Sequence, residues 1–241
     1  MTNERVLTLS AVEAGYGQGL ALHGIDLEVS AGELVVVIGP NGHGKTTLLR
    51  TISGLLTCSR GTIDYKGTRI SDLRTEKIVD LGLTQIPQGD LLFPDMTVQE
   101  NLLLGSFRPA AHKKRAARLE IVFELFPRLR ERRTQRARTL SGGERRMVAL
   151  GRGLMSDADT LLIDEPSLGL APVLVHEVYE RIASIAASGI TVLLVEENVT
   201  NVRDVADRLL LMESGRIVMS GTPDEVLSDA SVMRTYLGVG E

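Results

Sequence analysis

Three short apolar runs stand out along the chain: "ELVVVIG" (Glu33–Gly39), "TLLIDEP" (Thr160–Pro166) and "TVLLVEE" (Thr191–Glu197). Each is rich in Val, Leu and Ile and is bounded by Gly, Pro or charge. A run that is apolar at every position predicts a strand buried on both faces, as in a parallel sheet. Helical spacing follows the first two. After Gly44, "KTTLLRTISGLL" sets Leu48, Leu49, Ile52, Leu55 and Leu56 on one stripe, and after Pro172 the residues Leu174, Val178, Ile182 and Ile185 do the same, with Gly189 as the stop. Strand–helix alternation of this kind predicts a doubly wound α/β core.

The flanks and the middle read differently. "VLTLSAV", "LHGIDLEV" and "GTIDYKG" alternate and predict a small antiparallel sheet beside the core, and "LLMESGRIVMSG" predicts a hairpin turning at Ser214–Gly215. From about Thr97 to Met155 there is no convincing strand but three helix-like stretches. "TVQE" and "SGGE" each place Thr or Ser three residues before Glu, the capping-box spacing that satisfies orphan amides at a helix start. The expected organisation is one domain over 1–241: a core with an antiparallel part over 1–89, an inserted helical subdomain over 90–155, and the rest of the core over 156–241. The arginine run "RLRERRTQRAR" reads as a solvated face or loop rather than a phosphate-binding patch.

Bulk properties narrow the functional classes. A net charge of −4 is not that of a typical nucleic-acid binder, and the one cysteine, Cys58, leaves no internal disulfide. The opening "MTNERVLTLS" holds no long apolar stretch, so no secretory signal is expected. No window approaches the ~20 apolar residues that cross a bilayer. Work at a membrane therefore needs a second chain to supply the membrane part.

"GPNGHGKT" (Gly39–Thr46) matches G-x-x-x-x-G-K-[ST] between a predicted strand and a predicted helix. Gly39, Gly42 and Gly44 allow the backbone to turn its amides onto phosphate oxygens, where the helix dipole adds positive charge. Lys45 can reach the β and γ phosphates, and the Thr46 hydroxyl can ligate Mg2+. Asp164 and Glu165, at the end of a buried strand, then acquire roles: Asp164 gains the metal as a cationic partner, and Glu165 polarises the attacking water as general base. "SGGE" adds a second anion site, because Gly142 and Gly143 at a helix start leave bare amides. One chain with one phosphate loop has no obvious use for it. The economical explanation is that Ser141, Gly142 and Gly143 contact the γ phosphate held by a partner subunit. Its competitor is a plain capping box between Ser141 and Glu144, and the two roles are expected to coexist only partly.

"GPNGHGKTT", "LSGGERRMVALGRGLM" and "LLIDEPSLGLAP", in that order and spacing, resemble the ATP-binding cassette ATPases over essentially the whole chain. The resemblance implies the family fold, a P-loop NTPase core of mostly parallel sheet with a flanking antiparallel β subdomain and an inserted helical subdomain. It also implies a head-to-tail dimer, homo- or heteromeric, that sandwiches two ATP molecules with Mg2+. Gly39, Pro40, Asn41, Gly42, His43, Gly44, Lys45, Thr46 and Thr47 are implied to bind the nucleotide. Tyr16 resembles the aromatic that stacks on adenine. Gln88 resembles the glutamine that touches metal and attacking water at the hinge into the helical subdomain, and "SLGLAP" resembles the loop that crosses the dimer interface. Asp164, Thr46 and Gln88 would hold the metal, with Glu165, Gln88 and Lys45 carrying catalysis.

Two positions depart from the family pattern. His43 replaces a small residue, which is expected to be tolerated because the backbone amides do the binding. At the switch position, commonly histidine, stands Glu197. An ionised carboxylate only accepts hydrogen bonds, so it is expected to turn away from phosphate, leaving modest turnover that depends chiefly on Glu165.

Within the family, "FELFPRLRERRTQRARTLSGGE", "DEPSLGLAPVLV", "LLVEENV" and the ending "YLG" resemble the smaller ATPase subunit of branched-chain amino acid importers. Importers of urea and short amides share much of this pattern. The implied partners are membrane-spanning permease subunits, a second ATPase subunit and, indirectly, an extracytoplasmic solute-binding protein. No nucleic-acid partner is expected. The implied location is the cytoplasmic face of the cell membrane. Apolar residues from Leu91 to Leu104 are expected to form the groove for a short permease helix.

Overall fold

A computed structural model describes residues 4–199, 202–229 and 232; the "YLG" ending lies outside them. The first two strands, β1 (Arg5–Tyr16) and β2 (Gly19–Ser30), form a hairpin, and β3 (Leu34–Ile38) leads into α1 (Lys45–Ile52). Next come β4 (Arg60–Tyr65), β5 (Thr68–Arg69), α2 (Thr75–Asp80) and β6 (Leu83–Ile86). Helices α3 (Val98–Leu104), α4 (Pro109–Leu125), α5 (Pro127–Glu131) and α6 (Gly142–Leu154) follow, with a 3₁₀ turn at Ala137–Thr139. The chain returns through β7 (Thr160–Asp164), α7 (Pro172–Ala187), β8 (Thr191–Glu196), β9 (Arg208–Glu213), β10 (Arg216–Gly221) and α8 (Pro223–Leu227).

The strands form two sheets, an antiparallel one ordered β2-β1-β4-β5 and a six-stranded one ordered β10-β9-β3-β8-β7-β6. In the larger sheet every pairing from β9 to β6 is parallel, and only β10 runs antiparallel at the edge. The continuous apolar runs are explained by two cores, one on each face. Along β3 the side chains of Val35 and Val37 enter a core shared with α1 and the small sheet, while Leu34, Val36 and Ile38 enter one shared with the helices. The same alternation holds in β7, where Leu161 and Ile163 face the helices and Leu162 faces α1. Because both faces are covered, β3 is apolar throughout, and in β7 and β8 the polar residues stand only at the strand ends, Thr160 and Thr191 at the start and Asp164 and Glu196 at the finish.

Two expectations need correction. The helix after the phosphate loop stops at Ile52, so Leu55 and Leu56 lie beyond it and Leu55 is 61% exposed. Gly54, with φ +73°, takes the left-handed conformation that ends helices, and the Leu56 N–H reaches back to the Arg50 carbonyl at 3.0 Å. The middle stretch holds four α-helices rather than three. Pro127 divides α4 from α5, because the residue before a proline is pushed out of the helical region, and Phe126 sits there at φ −126°, ψ 75°. Both capping boxes form, Thr97 with Glu100 and Ser141 with Glu144, and a third that the pattern reading passed over joins Thr222 and Glu225. The arginine run lies against acidic side chains, with Arg130 on Glu120 at 2.8 Å, Arg132 on Glu144 at 2.7 Å and Arg138 on Asp95 at 3.1 Å.

Candidate active site

The carboxyl ends of β3, β7 and β8 lie side by side in the parallel sheet, so the loops that follow them share one rim. The phosphate loop leaves β3. Gly44, at φ +102°, is the N-cap of α1 and makes no side-chain cap, which leaves the first-turn amides bare. Lys45 folds inward and is buried. Its ammonium donates to the carbonyls of Gly39 at 2.8 Å and Pro40 at 3.1 Å and lies 3.5 Å from Glu165 Oε1.

Glu165 follows β7 in a left-handed conformation, φ 42°, unusual for a side chain of this kind and typical of strained functional positions. Its N–H donates to the Val195 carbonyl at 3.0 Å, and its Oε2 accepts from Gln88 Nε2 at 2.8 Å. Lys45, Glu165 and Gln88 are therefore one bonded set, drawn from the segments that follow three separate strands. Beside it, Thr46 Oγ1 donates to Asp164 Oδ1 at 3.1 Å. Asp164 is buried, and burial pushes its carboxyl above the usual range; the charge of Glu165 adds to the rise, while Thr46, Arg50 and Lys45 oppose it.

Thr46 and Asp164 together present hard oxygen donors. Gln88 spends its amide nitrogen on Glu165, which leaves its carbonyl oxygen. Among the described residues no group of three or more His, Cys, Asp or Glu could hold a metal alone. One carboxylate and one hydroxyl suit a cation that keeps most of its waters and completes its shell with phosphate.

The remaining predicted residues fall in two places. Tyr16 ends β1 half exposed, its hydroxyl accepting from Arg50 of α1 at 3.3 Å. Ser141, Gly142 and Gly143 begin α6 elsewhere, next to Leu170 and Leu174 of the segment after Glu165. Among the described residues no hydrogen bond joins them to the phosphate loop. Ser141 Oγ accepts the Glu144 N–H at 3.3 Å. The Ser141 side chain also bonds the Glu144 carboxylate, so the cap engages the hydroxyl as donor as well as acceptor, and an anion would have to draw the proton from that carboxylate.

Two residues at this rim make side-chain contacts that the sequence reading did not specify. Glu197 Oε2 accepts from Asn41 Nδ2 of the phosphate loop at 2.8 Å. The amide supplies the donor that a carboxylate seeks. The His43 side chain also contributes, because Nδ1 accepts from the Ser214 N–H at 3.1 Å and its carbonyl accepts from the Gly215 N–H at 3.0 Å. This ties the loop to the β9–β10 turn.

Sequence reasoning missed the arginines of α6. Arg146 donates to the Gly89 carbonyl at 2.9 Å, Arg152 to the Leu91 carbonyl at 2.8 Å, and Arg145 to Asp90 Oδ2 at 2.9 Å. They hold the segment after Gln88 against the helix that starts at Ser141. Arg145 and Arg152 stand two turns apart on one face, a spacing that was legible. Leu91 and Phe93 are exposed, whereas Leu92 packs against the core under the helices. Asp90, Leu91, Leu92, Pro94, Arg138 and Arg145 line a groove of about 370 Å³.

Comparison with known proteins follows the same lines. The model of the ABC transporter family matches residues 22–168. The chain is 42% identical to the high-affinity branched-chain amino acid transport ATP-binding protein BraG of Pseudomonas aeruginosa over 97% of its own length and 100% of that protein's. It is 32% identical to the lipopolysaccharide export system ATP-binding protein LptB of Haemophilus influenzae, over 97% of each. Among solved structures, an ATP-binding cassette of an ABC transporter in its ADP conformation superposes with a TM-score of 0.85 at 29% identity, covering 98% of this chain and 99% of that one.

Proposed function

The chain belongs to the ABC transporter family, as an ATP-binding and ATP-hydrolysing subunit, and we propose that it energises import of branched-chain amino acids through a membrane permease. The observation that carries the substrate is the 42% identity to a branched-chain amino acid transport protein along the full length of both chains. ATPases of this family dimerise and work with membrane permease components. For this chain the proposed assembly adds an extracytoplasmic solute-binding protein and a location at the cytoplasmic face of the membrane.

In the proposed site, Gly39 to Thr47 hold the phosphates and Tyr16 stacks on the adenine. Lys45 leaves the carbonyls of Gly39 and Pro40 for the β and γ phosphates, which frees Glu165 to accept a proton from water that Gln88 helps to orient. Thr46, Asp164 and Gln88 would hold Mg2+, which when bound neutralises phosphate charge. Ser141, Gly142 and Gly143 of a second subunit complete the γ-phosphate contacts, with the Ser141 hydroxyl as donor. We take 90–155 as a helical subdomain that follows nucleotide-driven closure, because the arginines of α6 grip the segment after Gln88. The groove over Leu91 and Pro94 is the proposed seat of a permease helix.

The test is reconstitution with permease subunits and a solute-binding protein of a branched-chain amino acid importer, followed by ATP-dependent uptake into proteoliposomes. Uptake of leucine, isoleucine or valine is expected. Uptake of urea or short amides alone would move the assignment to that branch. Outward movement of substrate would favour the export reading that the likeness to LptB supports.

A further inference from the structure

Glu196 ends β8, one residue before the switch position, and is only 3% exposed. By the alternation of its strand it follows Val192 and Leu194 toward the core under the helices, where an aliphatic side chain would pack without difficulty. A carboxylate there is costly unless donors surround it. Four do. Oε2 accepts from Ser167 Oγ at 3.0 Å and from the Tyr179 hydroxyl, while Oε1 accepts from the backbone N–H of Glu197 at 2.9 Å and of Asn198 at 3.4 Å.

These donors come from three segments, two of which, the loop after Glu165 and the segment after β8, ATP hydrolysis must coordinate. Ser167 lies two residues after Glu165, and Glu197 holds Asn41 of the phosphate loop at 2.8 Å. Tyr179 of α7 anchors the junction from below. Burial, and then the charge of Glu196, push its hydroxyl well above the ordinary tyrosine range, so it remains a donor. Pro40, Glu165, Ser167, Glu196 and Glu197 all line one cleft of about 720 Å³. The carboxylate therefore stands between the base-bearing loop and the switch segment at the edge of the reaction space.

We propose that Glu196 is a positioning residue for ATP hydrolysis, fixing the loop after Glu165 to the segment that carries Glu197 so that base and switch move as one piece. The proposal rests on the reading of Glu165 as base. A hydrogen-bonded carboxylate holds both loops in a way that an apolar residue cannot, because its two oxygens accept from both at once.

The test measures steady-state ATPase of the purified full chain for E196Q, S167A and the double variant, with affinity for the non-hydrolysable analogue AMP-PNP and the thermal midpoint measured alongside. E196Q and S167A should each lower kcat by about tenfold while AMP-PNP affinity changes less than about threefold, the pattern of an interaction that matters in the transition state. The double variant should be no slower than the slower single variant, because both remove the same tie. Parent-like kcat in E196Q, multiplicative losses in the double variant, or equal losses of kcat and affinity would each overturn the proposal. Should E196Q fail to fold, S167A alone decides by its kcat against its affinity. E165Q separates the underlying reading: parent-like turnover in E165Q removes Glu165 as base, whereas slow E165Q beside parent-like E196Q removes only the positioning role.

Discussion

Asn41 and Glu197, far apart in sequence, are joined by a 2.8 Å hydrogen bond from the amide of the phosphate loop to the carboxylate at the switch position. The pair is exposed, and a carboxylate cannot donate to a phosphate. Replacing Glu197 with Ala should therefore lower kcat by less than about fivefold, since an exposed contact of this kind contributes at most ~1 kcal/mol. ATPase kinetics of E197A check this, and a loss beyond tenfold would give Glu197 a direct part in hydrolysis.

Glu165 stands otherwise, bonded to Gln88 at 2.8 Å and 3.5 Å from Lys45. E165Q keeps the shape of the side chain and removes the base. Turnover should fall by about 100-fold or more, the usual contribution of a positioned general base, with AMP-PNP binding retained. Turnover equal to that of the parent protein would show that another group accepts the proton.

Asp164 is a charge held in an unfavourable place until a cation arrives. Its folded pKa is raised above the unfolded value, chiefly by burial. The folded state thus binds its proton more readily than the unfolded chain, and stability falls as pH rises from the ordinary Asp value to the raised one. Above the raised value the cost is fully present. D164N should therefore raise the thermal midpoint of the nucleotide-free protein by a few degrees while abolishing metal-dependent ATP hydrolysis. Calorimetry without nucleotide checks the first half; a lower midpoint would mean that the Thr46 bond outweighs burial.

Ser141 and Thr222 cap helices by the same box, yet only Ser141 is proposed to meet a nucleotide. S141A and T222A should each cost about 1 kcal/mol of stability, read from urea unfolding. Only S141A should also weaken ATP-driven dimerisation, read by light scattering of an E165Q background. Equal dimerisation in both variants would leave Ser141 as a cap and nothing more.

Acid should find the same boxes. Backbone and side-chain bonds to Thr97 hold Glu100 below the ordinary glutamate range, and those to Thr222 do so for Glu225. For Glu144 burial works the other way and is outweighed by Ser141 and Arg132. Each carboxylate then contributes stability above its unfolded pKa that is lost as pH falls below about 4.3. E100Q or E225Q should flatten the acid limb of a stability-against-pH curve, and an unchanged limb would contradict it.

The buried strands, the helix starts at Thr97 and Ser141, and the order of the phosphate loop, the SGG turn and Asp164–Glu165 were legible in the chain alone, because each depends on neighbours within a few residues. Periodicity, glycine placement and cap spacing are local physics, and they settle local structure. The helix end at Ile52 and the break at Pro127 belong to the same class, and were available from Gly54 and Pro127 themselves. What tertiary structure decided is which side chain meets which across the sheet: Asn41 with Glu197, His43 with Ser214, the arginines of α6 with the segment after Gln88, and Glu196 with Ser167 and Tyr179. Parallel strands bring loops from distant parts of the chain to one rim, and a polar group there takes whichever partner the register sets beside it. A sequence shows that Glu196 is a carboxylate at the end of an apolar run; only the packed sheet shows that four donors converge on it.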